Sequence, residues 1–239
     1  MNNNIAPKIK VFSLNSFFRR SGESINGCNY EINESDIIGY KVKSAVIPID
    51  IYTIDSRNNK VYIDDGTAYT ATIASGFYNS TTILVALKTA LDATASALVF
   101  TCTYNSVTNK ITISATGSFS VKTGVNNAYY ELGITTADLN ISAASLTPTT
   151  GIDLSGLKVI YVYSNLNGVD IVNSNSKCLL SIPIDEQSAD VVIFKDDSSD
   201  YIGLNNVAVN SMNFILYDER NRSITLSKDY IFTLALLVN

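Results

Sequence analysis

The sequence predicts a mainly β protein, an antiparallel sandwich or barrel carrying one small α+β insert. Three observations predict it. Most apolar stretches are short, β-branched and bounded by Asn, Asp, Gly or Ser, as strands between turns are. One stretch, from about Ala68 to Leu132, breaks that pattern with helical spacing. Charged residues are only 16% of the 239, against a typical ~25%. Asn, Ser and Thr fill the gap and make up nearly a third of the chain.

In chain order, Lys8 to Phe12 is a short strand. Asp36 to Ile54 is long, and its middle, from Tyr40 to Pro48, alternates well. Pro48 removes a ladder donor, so a bend, bulge or edge is expected there. Arg57-Asn-Asn turns the chain, Lys60 to Asp64 returns, and Asp64-Asp-Gly66 turns it again. Tyr69 to Ile73 is extended. A helix follows over Thr82 to Leu91, capped by Asn79 or Ser80, with Ile83, Leu84, Leu87 and Leu91 on one face. Val99 to Tyr104, Lys110 to Ser114 and Phe119 to Val121 read as strands. A short helix from Asn126 or Asn127 to Leu132 ends at Gly133. Thr135 to Gly151 reads as a polar linker. Later strands are Leu157 to Ser164, Cys178 to Ile184, Val191 to Lys195, Met212 to Tyr217, Ser223 to Leu226 and Tyr230 to Val238, with a hairpin turn at Asp218 to Asn221. About eight strands outside the insert favour a sandwich or barrel.

Composition excludes much chemistry. The chain has no His, which removes every Ser-His or Cys-His pair and every His metal ligand. It has no phosphate-loop, nucleophile-elbow or dinucleotide motif. The net charge of −5 argues against a phosphate-tracking nucleic-acid binder. Cys28, Cys102 and Cys178 lack metal spacing and read as buried thiols. The acidic run Asp196 to Asp200 reads as a solvated loop, with a cation site as its rival. Met1 to Ile5 does not read as the start of a signal peptide, and no apolar run reaches the ~20 residues of a membrane span. The expectation is a non-enzymatic protein with no cofactor and no metal. A carboxylate-pair hydrolase is the enzymatic rival.

Phe17-Phe-Arg-Arg20 is the one compact basic and aromatic element. It has two readings: an arm that docks on a neighbouring subunit or an internal surface, or an ordered loop with two core Phe and two solvated Arg. Tyr129 and Tyr130 sit in a second aromatic cluster, Ala128 to Glu131. Tyrosine suits interfaces because its ring buries area while its hydroxyl stays satisfied.

Several stretches together resemble the penton, or minor capsid, proteins of virophages and Polinton-like viruses. They are Tyr40 to Ile54 with Asn58 to Ile63, Ile73 to Tyr78, Phe100 to Tyr104 with Asn109 to Ile113, and Leu157 to Ser164 with Cys178 to Pro183. The strongest is Met212 to Asp218, a turn, Ile224 to Leu226 and Asp229 to Leu237. The Asn/Ser/Thr-rich stretch from Ala143 to Gly151 departs from the family style. The resemblance implies a single jelly roll made of residues 1–66 and 150–239, with residues 1–30 as an N-terminal arm or loop. Residues 67–149 are then an insertion domain on the outer side of the capsid. As a separate, Tyr-bearing package on an outward loop, it is expected to offer attachment to a host receptor or spike. It further implies a homopentamer that closes the fivefold vertices of an icosahedral capsid among capsomers of a different major capsid protein. Such a protein resides in the virion, is made in the host cytoplasm and reads no nucleic-acid sequence. Phe17, Phe18, Arg19, Arg20, Tyr129 and Tyr130 are the expected contact residues. The alternative function is a viral or phage fibre-like jelly-roll module that binds a receptor or carbohydrate.

Overall fold

The alternating apolar runs form long antiparallel strands in the computed structural model, which describes residues 6–21, 23–25, 28–49, 51–166, 178–184 and 191–239. Met1 to Ile5 lie outside the described residues. The chain divides into two compact units. One is discontinuous, Met1–Ile51 with Leu157–Asn239, and the other is the contiguous stretch Tyr52–Gly156.

The discontinuous unit holds β1 (Lys8–Asn15), β2 (Asn29–Pro48), β8 (Val159–Ser164), β9 (Cys178–Pro183), β10 (Val191–Lys195), β11 (Ile202–Tyr217) and β12 (Ile231–Val238). They hydrogen-bond in the order β1-β12-β2-β11-β8-β9, with β10 also on β2. Every pairing is antiparallel. Strand β2 is shared. Its first half pairs with β11, and its second half lies between β12 and β10.

The rings show that this sheet curls. Asn29 of β2 lies opposite Asn213, next to Phe214, while Ala45 lies opposite Phe232. On a straight strand those two β2 positions are separated by about 50 Å, at ~3.3 Å per residue. Yet the Phe214 and Phe232 ring centroids are 4.6 Å apart. The bend is built from residues with left-handed backbone: Asn33 (φ 51°) and Asp36 (φ 57°) in β2, and Asn206 (φ 53°) in β11. Asn and Asp adopt this region at lower cost than other non-glycine residues. The β2–β11 register shifts at the same corner, between Gly203 and Ser211. The result is an antiparallel β-sandwich of jelly-roll type. Its core contains Ile37, Tyr40, Ile47, Val162, Met212, Phe214, Phe232 and Leu234.

The Tyr52–Gly156 unit holds β3 (Lys60–Asp64), β4 (Ala68–Thr72), α1 (Thr82–Asp92), β5 (Phe100–Asn105), β6 (Lys110–Lys122) and β7 (Ala143–Leu146). Its sheet runs β4-β3-β6-β5, with β7 also on β6. Helix α1 buries Ile83, Leu87, Ala90 and Leu91. At its start the Asn79 carboxamide oxygen accepts from the Thr81 and Thr82 backbone N–H groups, both at 2.9 Å, which satisfies two otherwise orphaned donors.

Four expectations are corrected here. Lys60 to Asp64 pairs with β4 and β6, so it belongs to the inserted unit and not to the sandwich. That unit accordingly starts before residue 67 and extends past 149. Lys110 to Lys122 is one strand, because the Ala115-Thr-Gly-Ser118 stretch stays extended across an irregularity in the β6–β7 register between Ser114 and Phe119. Ser223 to Leu226 is a loop that buries Ile224 and Leu226, and Asn126 to Leu132 forms turns and no helix.

Gly133 ends those turns at φ +75°, and a Cβ there would lie 2.7 Å from the Gly151 carbonyl oxygen. Gly133→Ala is expected to cost about 2–4 kcal/mol, adding a left-handed backbone penalty to that overlap. Urea unfolding followed by circular dichroism measures it.

Candidate functional site

The most conspicuous surface feature is the Phe17–Phe18 pair. Residues Ser16–Phe18 form one 3-10 turn after β1, and the Asn15 side chain accepts from the Phe17 backbone N–H. The turn is clamped to the start of β12. Buried Ser16 donates its hydroxyl to Asp229 Oδ1 at 2.8 Å and accepts from the Tyr230 backbone N–H at 2.9 Å. Ser16 N–H in turn bonds the Tyr230 carbonyl at 3.0 Å. Arg19 Nη1 reaches both Asp229 Oδ1 (2.6 Å) and the Ser16 carbonyl (2.9 Å).

This clamp displays two rings to solvent. Phe17 is 68% exposed and Phe18 79%, and the rings meet edge to face with centroids 5.3 Å apart. The reading of two core Phe is therefore corrected. The turn spends its backbone on β12, and among the described residues no apolar layer covers the rings. Of the two arginines, Arg19 is a strut of the clamp and Arg20 pairs with Glu31 on the surface. Beside Phe18 opens a groove of about 320 Å³, lined by Phe12, Leu14, Phe18, Arg20, Tyr30 and Glu31.

The two tyrosines separate. Tyr130 is exposed, and its hydroxyl donates to Asp153 Oδ2 at 3.0 Å. Tyr129 is buried. Its hydroxyl donates to the Lys122 carbonyl and accepts from the Tyr62 N–H, and burial pushes its pKa up to about 12. Its role as a contact residue is corrected to a core strut, because both capacities of its hydroxyl are used internally.

Burial raises the Cys28 thiol above its ordinary value and pushes Cys102 up to about 11. Both are neutral at pH 7 and so poor nucleophiles. In the acidic loop, the Ser198 N–H and hydroxyl hold the Asp196 carboxyl below the usual range, and Lys41 adds to this. Lys41 Nζ, itself buried, lies 3.4 Å from Asp196 and donates to the Ser198 carbonyl. Among the described residues, no group of three or more acidic, Cys or His side chains is placed to hold a metal. Among the described residues, no helix is long and apolar enough to cross a membrane.

A solved virophage penton protein has a similar structure. It is the mavirus penton protein, 11% identical, with 97% of this chain and 100% of that chain covered at a TM-score of 0.46. A chain of the Sputnik virophage, solved by cryo-electron microscopy, is 12% identical, with 98% of each chain covered at 0.41. Both scores lie below 0.5, so the jelly-roll assignment rests on the strand register and ring contacts of this chain. No family model matches the chain, and no curated protein matches it.

Proposed function

We propose that this protein is a non-enzymatic viral capsid protein, a penton that forms homopentamers and closes the fivefold vertices of an icosahedral capsid beside a larger major capsid protein. The observation that carries this reading is the clamped Phe17–Phe18 pair. Two exposed rings on a turn whose backbone is clamped suit a partner that buries them, since an anchor whose backbone is already in place loses less conformational freedom on binding. A contact of this kind between unlike surfaces closes into a ring when its rotation completes a full turn. The discontinuous sandwich interrupted by a contiguous unit is also the plan that the sequence resemblance implies. In this reading Tyr52–Gly156 is the insertion domain that meets a receptor or spike, with Tyr130 among its contact residues. Arg20 borders the anchor, and the virion is where the protein resides.

Mass photometry and negative-stain microscopy of purified protein test this. Fivefold rings are the expected result. A monomer or trimer that binds glycans would instead support the fibre-like module. Phe17→Ser with Phe18→Ser is expected to shift rings to monomers while changing monomer stability by no more than about 0.5 kcal/mol, as at most exposed positions.

A further inference from the structure

The sandwich layer β1-β12-β2-β10 ends in two open edges. Among the described residues, β1 pairs only with β12 and β10 only with β2. Each therefore leaves one row of backbone N–H and C=O groups without a strand, a ready template for a further strand. Neither edge carries Pro within its strand or a bulge in its pairing.

The outward face of the same layer carries apolar residues at both of its open edges, with a polar row, Lys195, Ser44, Thr233 and Ser13, between them. Ile193, Val46 and Ile231 lie in register across three strands. Val191 (48% exposed) and Ile193 (63%) project from β10, and Ile9 (58%) and Val11 (55%) from β1. An outward sheet face is ordinarily polar, so apolar side chains projecting at an open edge point to an interaction there.

We propose that the occupant is a second copy of this chain, with β10 of one copy added to β1 of the next. This deepens the assembly reading above and rests on it. Two arguments identify the occupant. The first is direction. Strands alternate through the layer, so a sheet continued head to tail brings β10 antiparallel to β1. The second is charge. That arrangement sets the Lys8 and Lys10 end of β1 beside the end of β10, where Asp196, Asp197 and Asp200 outnumber Lys195. Lys10 already pairs with Glu34 at 2.6 Å and Asp196 with Lys41, so Lys8 brings a further positive charge to an acidic end where Asp197 and Asp200 are exposed. The register that satisfies both arguments places Val11 opposite Ile193 and Lys8 opposite Asp196. It keeps the projecting apolar residues of the two copies on one face. Backbone hydrogen bonds then supply the joint, and the row of Val and Ile supplies its specificity.

Cysteine pairing tests it. Within one copy, Val11 and Ile193 stand three strands apart, about 14 Å at ~4.8 Å per strand, beyond the ~7 Å reach of a disulfide. Val11→Cys and Ile193→Cys proteins are prepared separately, mixed, oxidised and run on a non-reducing gel, with wild type as control. The expected result is a dimer band in the mixture that neither protein forms alone, and a ladder from the doubly substituted chain. A dimer from Val11→Cys alone would mean twofold β1–β1 pairing and would overturn the proposal. Rings seen by microscopy without the mixed disulfide would overturn the proposal and leave the assembly reading standing. Neither rings nor disulfide would overturn both.

Discussion

Phe232→Ala is expected to destabilise the sandwich by about 3–5 kcal/mol, the usual cost of emptying a buried aromatic site. Phe232 is fully buried and touches rings on two sides, Phe214 at 4.6 Å and Tyr230 at 5.2 Å. It sits where the two halves of β2 are folded toward each other, so the loss falls on the curl itself. A small domain has only about 5–15 kcal/mol in total, and the variant should lie near the edge of folding. Guanidinium titration with hydrogen exchange on β11 and β12 measures both the loss and its location. Unchanged protection in those strands would contradict the curled arrangement.

The second large effect is expected at Asp138, a buried carboxylate in the Tyr52–Gly156 unit. It accepts from the Thr135 N–H (2.7 Å) and hydroxyl (2.9 Å), and from the Thr149 N–H (3.0 Å) and hydroxyl (2.6 Å). Burial alone raises its pKa, but the bonds from Thr149 and Thr135 outweigh this and hold it below 3.8. The sign follows from that depression. The stabilisation is fully present above the ordinary carboxylate value and fades as pH falls through the lower folded value. Asp138→Asn replaces an oxygen acceptor with a donor facing donors, and is expected to cost about 2 kcal/mol at pH 7. Its stability should then fall less steeply than wild type below pH 4. Thermal melts at pH 7 and pH 3 give both numbers.

Much of the sandwich was legible because alternation reports burial directly. The Tyr40 to Pro48 pattern, the helix face at Ile83 and Leu87, and the final strand all follow from it. The Asp138 network was not legible. Thr135 to Gly151 is mostly Thr, Ser and Ala, and nothing in that composition separates a linker from a loop tied to a carboxylate eleven residues away. The corner in β2 was missed for a related reason. Asn33 and Asp36 permit left-handed backbone without requiring it, and only the packing of Phe214 against Phe232 selects the bend. At the candidate site, Phe17 to Arg20 stood out as a motif. Its exposure depends on the Ser16–Asp229 clamp, whose partners are more than two hundred residues apart and cannot be paired from local pattern. Tyr129 and Tyr130 are adjacent and identical, so only the fold assigns one to the core and the other to the surface.

The place of β12 between β1 and β2 bears on how the protein is made. Both neighbours are translated early, and the strand that joins them is translated after the whole Tyr52–Gly156 stretch and all of the other sandwich strands described. On the ribosome, β1 has no partner and β2 lacks one flank until Ile231–Val238 emerges. The intervening unit pairs only within its own contiguous sequence and can close while synthesis continues. Until then the edge of β1 stays unpaired on both sides. Premature contact between nascent chains is thus the hazard of this topology, and slow synthesis over residues 157–230 would prolong it.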